Sequence, residues 1–181
     1  MEENMDIKVN RKELFKEILS YAKIIVGTFL IVFILNTCII ANAQVPTGSM
    51  ETTVMTGDRI IINRLAYKFE EPHRGDIVSF IFPDDGKTPY LKRVIGLPGE
   101  TIEGKNGDIY INGELLKANY TDEKSYDDFG PYKIPDKSYF MMGDNRNNSF
   151  DARYWNNKFV KLDDIIGKAL VSYFPHPRIL K

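Results

Sequence analysis

The chain's pattern of apolar and polar positions falls into two parts. From Ile24 to Ala41 it runs without a charge, interrupted only by Gly27, Thr28, Asn36 and Thr37. At about 1.5 Å rise per residue such a run is just long enough, as a helix, to cross a bilayer core of about 30 Å. From Gln44 onward the pattern changes to short β-like runs with turn residues between them. Strands are predicted at 59–62, 77–82, 90–95, 109–111 and 168–174. Asn106-Gly107 and Asn112-Gly113 flank Ile109-Tyr110-Ile111, and Asn-Gly suits the positive φ angles of a type I′ hairpin turn. Leu97-Pro98-Gly99 and Gly143-Asp144-Asn145 punctuate the chain in the same way. Beyond residue 45 no long 3.6-residue apolar period occurs, and only one helical turn is expected, over Met50–Val54. Residues 119–133, polar and acidic around Gly130-Pro131, read as a surface loop or a small subdomain. The pattern predicts a mainly β, antiparallel domain preceded by one transmembrane α-helix. The expected divisions are a cytoplasmic segment at 1–23, an anchor at 24–41 and an extracytoplasmic domain at 42–181.

Charge sets the expected orientation. Lys8, Arg11, Lys12, Lys16 and Lys23 precede the apolar run, and no Lys or Arg follows it until Arg59. A Lys/Arg excess on one flank keeps that flank in the cytoplasm, so the β domain is expected outside, on a single-pass membrane protein. Ala41-Asn42-Ala43 has the small-x-small form of a leader cleavage site, but the apolar run exceeds the usual leader core of roughly 7–15 residues. A retained anchor is the better fit. A formal charge of −1 over 181 residues argues against a nucleic-acid partner, which needs a clustered cationic excess. Cys38, the only cysteine, excludes a disulfide within one chain. His73 and His176 lie in Pro-flanked segments outside any zinc-binding pattern, so neither a metal nor another cofactor is expected.

An exported hydrolase with no metal and no reactive cysteine needs an activated hydroxyl. Pro46-Thr47-Gly48-Ser49-Met50 offers one, with Gly48 allowing close backbone approach, although a serine beside glycine is more often a turn residue. Histidines in plausible positions are scarce, which leaves lysine as the base, provided desolvation lowers its pKa toward neutrality. In the predicted strand Tyr90–Ile95, Lys92 shares a face with Tyr90 and Val94. An apolar face strips water from an ammonium; the alternative is a stem lying on the sheet with its head in solvent. Arg93 cannot act as a base and is suited to hold a carboxylate. Gly143 to Arg153 contains two acids, two arginines and a serine, which form either a hydrogen-bonded scaffold under a site or a solvated turn.

Taken in order, these segments resemble the type I signal peptidases of bacteria. They are Pro46-Thr47-Gly48-Ser49-Met50, Gly57-Asp58-Arg59, Arg74-Gly75-Asp76-Ile77-Val78, Lys92 through Glu100, and Gly143-Asp144-Asn145-Arg146 with Ser149, Asp151 and Arg153. The resemblance covers about residues 20–175. It implies a signal-peptidase-like antiparallel β-sheet or barrel whose Ser/Lys dyad, Ser49 and Lys92, removes signal peptides from exported preproteins after an Ala-x-Ala-like site. It further implies an oxyanion hole from the Ser49 N–H and the Thr47 hydroxyl, and a lysine oriented by Ser149. Asp144 and Arg93 match a structural ion pair supported by Arg146, Asp151 and Arg153, and Met50 matches a residue lining the substrate pockets. The expected partners are signal-peptide-bearing preproteins and the lipid bilayer. Thr52, Asn147 and Ala152 depart from residues common in the family, and the short middle region, 104–133, implies a reduced second lobe. The alternative of another class is a membrane-tethered β domain that binds peptides without cutting them.

Overall fold

A computed structural model describes residues 11–117, 121 and 123–181. Lys8, with the rest of 1–10, and Asn119, Tyr120 and Asp122 of the acidic stretch lie outside the described residues. The chain divides after Ile39 into a helical unit and a β unit. Helix α1 (Arg11–Ile34) continues as a π-helical turn over Leu35–Ile39, where the polar pair Asn36-Thr37 interrupts the apolar run. None of its side chains is buried, and the 29 residues from Arg11 to Ile39 are long and apolar enough to cross a membrane. Ile40 and Ala41, which the apolar pattern assigns to the span, instead open a strand. Their backbone pairs with the next strand, and Ala41 packs on the smaller of two cores.

The β unit contains β1 (Ile40–Gln44), β2 (Arg59–Asn63), β3 (Ile77–Ile81), β4 (Pro89–Gly96), β5 (Thr101–Lys105) and β6 (Asp108–Ile111). After these come β7 (Glu114–Leu115), β8 (Phe129–Lys133), β9 (Ser138–Met142), β10 (Val160–Lys161), β11 (Ile165–Phe174) and β12 (Arg178–Ile179). The larger sheet runs β1-β2-β11-β3-β4-β9-β10, with β12 on β11, and all its pairings are antiparallel. The smaller sheet runs β7-β6-β5-β8, and its β8 lies within the stretch expected to be a loop or subdomain. The two Asn-Gly turns link β5, β6 and β7 as predicted, with φ of 53° and 84° at Asn106-Gly107 and 52° and 84° at Asn112-Gly113. A single i→i+4 bond, Val54 N–H to Met50 C=O at 2.8 Å, makes the expected helical turn.

Alternation along β3 separates two cores. Val78 and Phe80 join the larger one with Val94, Phe140, Met141 and Trp155, whereas Ile77 joins Val45, Met50, Val54, Ile60, Ile62, Ala169 and Leu180. Opposite Val78 and Phe80 on β4 lie Lys92 and Tyr90. Lys92 therefore leaves the sheet on its apolar, aromatic side, the environment that strips water from an ammonium.

Candidate active site

Ser49 lies in the loop joining β1 to β2. Two backbone bonds close the neck of this loop: Val45 N–H to Asp58 C=O at 2.9 Å and Gly57 N–H to Val45 C=O at 2.8 Å. Met50 and Val54 anchor the loop by burying themselves in the smaller core. With both flanks fixed, the serine between them has little freedom to wander.

The loop and β4 meet at one contact. Lys92 Nζ donates to Ser49 Oγ at 2.6 Å, and Lys92 is only 4% exposed. Burial lowers its pKa from the ordinary 10.5 to about 8, against the opposing pull of the Asp151 and Asp144 charges. A lysine so placed is neutral in a useful fraction of molecules at mildly alkaline pH and can accept a hydroxyl proton. Thr47 Oγ1 lies 3.5 Å from Ser49 Oγ. All three residues line an open cleft of about 970 Å³, bordered also by Ala43, Met50, Ser149 and Leu91. Neither histidine borders it. His73 lies against Asp76 and His176 against Asp58.

The 143–153 segment supports this contact from below. Arg93 grips Asp144 through two parallel bonds, Nε to Oδ1 at 2.8 Å and Nη2 to Oδ2 at 2.6 Å, with both side chains almost wholly buried. Such a fork fixes orientation as well as distance. Asp151 accepts from Arg153 Nε at 2.8 Å, from Arg153 Nη2 at 2.9 Å and from the Gly143 N–H at 3.0 Å. Arg146 Nε reaches the Gly143 carbonyl at 3.2 Å. Of the two readings left open for this cluster, the buried scaffold is the one that forms. Ser149 is buried on the cleft wall, yet its hydroxyl makes no hydrogen bond to any described residue, so none joins it to Lys92.

Three features escaped the sequence reading. Asn145 tethers the serine loop directly, its N–H to the Ser49 carbonyl at 3.2 Å and its Nδ2 to the Gly48 carbonyl at 3.0 Å. It lies inside a quoted motif, but nothing local shows that its amide reaches a residue 97 positions away. The close backbone approach expected at Gly48 occurs instead at Gly143, where an added Cβ would fall 2.3 Å from the Ser49 carbonyl oxygen. The nearest atoms a Cβ at Gly48 would meet are those of the Glu51 carboxylate, the movable end of a side chain. Third, the wholly buried Asp58 takes His176 Nδ1 at 3.0 Å, Arg178 Nη2 at 2.5 Å and the Met55 N–H at 3.0 Å. Burial alone would raise its pKa; the bond to His176, the Met55 N–H and the charges of Arg178 and His176 outweigh that and hold it below the ordinary 3.8.

Asn147 puts its departure from the family pattern to use. Its Nδ2 donates to Glu123 and to the Lys124 carbonyl, each at 2.9 Å, while its Oδ1 accepts from the Tyr126 N–H. A carboxylate there would have no proton to donate to either acceptor.

The family described as signal peptidase, peptidase S26, matches residues 18–174. Signal peptidase I P of Bacillus subtilis subsp. natto is 38% identical over 182 residues, covering 95% of this chain and 96% of its own. Signal peptidase I S of Bacillus subtilis strain 168 is 38% identical over 177 residues, covering 92% and 94%. Signal peptidase I of Leptolyngbya laminosa is 38% identical over 149 residues, covering 77% and 72%. A crystal structure of a signal peptidase I from Enterococcus faecalis is 35% identical, covers 55% of this chain and 97% of its own, and aligns with a TM-score of 0.47. With the family match spanning most of its length and relatives matched nearly end to end, this chain belongs to the signal peptidase family, peptidase S26, and is a serine endopeptidase.

Proposed function

We propose that the protein is a membrane-anchored endopeptidase that removes N-terminal signal peptides from exported preproteins, cutting after an Ala-x-Ala-like segment. Ser49 is the nucleophile and Lys92 the general base. The observation that carries this reading is the 2.6 Å contact between Lys92 Nζ and Ser49 Oγ, made by a lysine whose burial lowers its pKa to about 8. At pH 7 about a tenth of such lysines are neutral, against fewer than about one in a thousand at the ordinary pKa.

Neutral Lys92 takes the Ser49 proton as Oγ attacks the scissile carbonyl carbon, and the carbonyl π electrons move to its oxygen. The Ser49 N–H and the Thr47 hydroxyl donate to that oxyanion, a contribution worth about 100-fold or more per donor in other serine peptidases. As the tetrahedral species collapses, the C–N bond breaks and the Lys92 ammonium protonates the departing amine. The released amine begins the mature protein, and the signal peptide remains esterified to Ser49. Water, deprotonated by Lys92, then hydrolyses the ester and restores both groups. Arg93, Asp144, Asp151, Arg153 and Arg146 hold the frame, and Met50 backs the pocket wall.

The substrate segment lies extended in the cleft against edge strand β1, whose Ala43 and Gln44 border it. The Ala-sized positions take shallow pockets beside Met50 and Leu91. The α1 helix spans the bilayer with residues 1–23 in the cytoplasm and residues 42–181 outside. Enzyme and substrate then share one membrane, which raises their effective concentration.

The test is incubation of the detergent-solubilised protein with a signal-peptide-bearing preprotein, with the cut mapped by mass spectrometry. A single cut after a small-x-small segment, absent with Ser49→Ala, is expected. Binding without turnover would instead select the peptide-binding alternative. Protease added to right-side-out vesicles should remove the β domain and spare an N-terminal tag; loss of the tag overturns the orientation.

A further inference from the structure

One wall of the Ser49 cleft has no part in the chemistry above. Phe150 and Tyr154 border the same opening as Ser49 and Lys92, yet are 54% and 45% exposed. Their rings stack at 6.4 Å and 13°. Phe150 meets Phe82 edge-on at 6.1 Å, and Phe82 stacks on Tyr90 at 4.5 Å and 2°. Trp155 backs this pair from the core, 5.4 Å from Phe82 and 6.1 Å from Tyr90. Tyr154 is held at both ends: its hydroxyl bonds to Asp127, and the Arg153 guanidinium lies 5.0 Å from its ring centre. Lys92 Nζ is 5.6 Å from the Tyr90 ring centre, so the aromatic wall begins beside the proposed base.

We infer that Phe150, with Tyr154 and Tyr90, forms a rigid aromatic ledge that binds a large apolar or aromatic side chain of the substrate. The ledge sets specificity at one position besides the two small ones. The inference rests on the endopeptidase reading of the cleft.

Three considerations carry it. The rings are ordered before anything binds, so little side-chain entropy is lost on contact. Half-exposed rings on the wall of a cleft present apolar area that the fold itself does not cover. The ledge is continuous with the cleft that holds Ser49, so a chain extended across that serine runs past it, and alternate side chains 6.6–6.8 Å apart, about two residues of strand, turn toward it. Burying about half of an aromatic side chain there favours such a substrate by about five- to tenfold over one with glycine at the same position.

The test uses the full-length protein in detergent and a set of peptides with a fixed Ala-x-Ala core. Every other position within four residues of the cut is varied through Gly, Phe, Leu and Glu, and kcat/KM is read for each. One position should prefer Phe and Leu over Gly by about five- to tenfold, and that ratio should fall to near one with Phe150→Ala. Phe150→Lys should turn the preference at the same position toward Glu, which loss of folding alone would not do. A profile flat at every varied position, or a preference unaltered in both variants, overturns the ledge while leaving the endopeptidase reading intact. Absence of cleavage, or cleavage that survives Ser49→Ala, fails the endopeptidase reading instead.

Discussion

Replacing Lys92 with methionine should make the protein more stable at neutral pH and inactive at every pH. Methionine keeps the unbranched apolar stem and removes the ammonium. The folded lysine titrates at about 8 and an unfolded one at the ordinary 10.5. Below pH 8 both states carry the proton, and the folded state bears the whole penalty of a poorly solvated charge. Each pH unit between the two values corresponds to about 1.4 kcal/mol, so the penalty is about 3 kcal/mol. Losing the bond to Ser49 subtracts about 1 kcal/mol, leaving a net gain near 2 kcal/mol, or about 4–8 °C in Tm. Between pH 8 and 10.5 unfolding takes up a proton. Raising the pH through that window therefore stabilises the wild type and closes the gap to the variant. Trp155, the only tryptophan and deeply buried, reports unfolding by fluorescence for both proteins in detergent from pH 6 to 11. Taking the difference between them cancels the groups they share. A variant no more stable at pH 7, with a difference that stays flat across the window, would refute the lowered lysine pKa and with it the case for Lys92 as base.

Other outcomes follow from the same geometry. Ser49→Ala should abolish preprotein cleavage, and so should Lys92→Arg, because guanidinium keeps its proton; His73→Ala and His176→Ala should stay active in the same assay. The wild-type kcat/KM should rise about tenfold per pH unit and level off above about pH 8, where Lys92 is neutral; a plateau already reached at pH 6 contradicts this. Ser149→Ala should lower single-turnover rates about tenfold with little change in substrate affinity, since Ser149 borders the same cleft as Ser49 and Lys92 and its buried hydroxyl has no hydrogen-bond partner among the described residues to hold it elsewhere. Asp58→Asn should cost about 2 kcal/mol by leaving Arg178 and His176 without their carboxylate, visible as a lower urea midpoint. Because the folded Asp58 pKa is depressed, that difference should be full above pH 4 and shrink as the pH falls below 3.8.

The strands that alternate or end in Asn-Gly turns were legible because their signal is local. Strand β9, Ser138–Met142, is buried at all five positions, so it shows no alternation, and a short run of that kind is not distinctive. Strands β5 and β8 contain Gly104, Gly130 and Pro131, which read as turn residues; the Phe129 ring lies over Gly104, where an added Cβ would be 2.2 Å from it. Strand β1 opens with Ile40 and Ala41, which merge with the apolar run before it. In the site, Ser49 and Lys92 were each ambiguous in isolation. The order of motifs joined them, since no periodicity reports a contact spanning 43 residues. Asn145 reaches the serine loop, and Asp58 reaches His176 and Arg178, across about a hundred residues of chain, so these roles awaited the fold.

Strand β1 carries a consequence for how the enzyme treats its own sequence. Ala41-Asn42-Ala43 has the small-x-small spelling of a substrate, and Ala43 borders the cleft. Its backbone, however, is committed to a neighbour: Ala41 opposes Ile62, Asn42 opposes Ile61 and Ala43 opposes Ile60 in the ladder with β2. A peptidase that reads extended backbone cannot readily thread a segment already woven into its own sheet, and from Ala43 to Ser49 there are too few residues to loop back across the site. On the proposed reading of the cleft, self and substrate differ in hydrogen-bond occupancy even where their side chains match. On that reading the same letters are a message in a preprotein and masonry here, for as long as the strand stays paired.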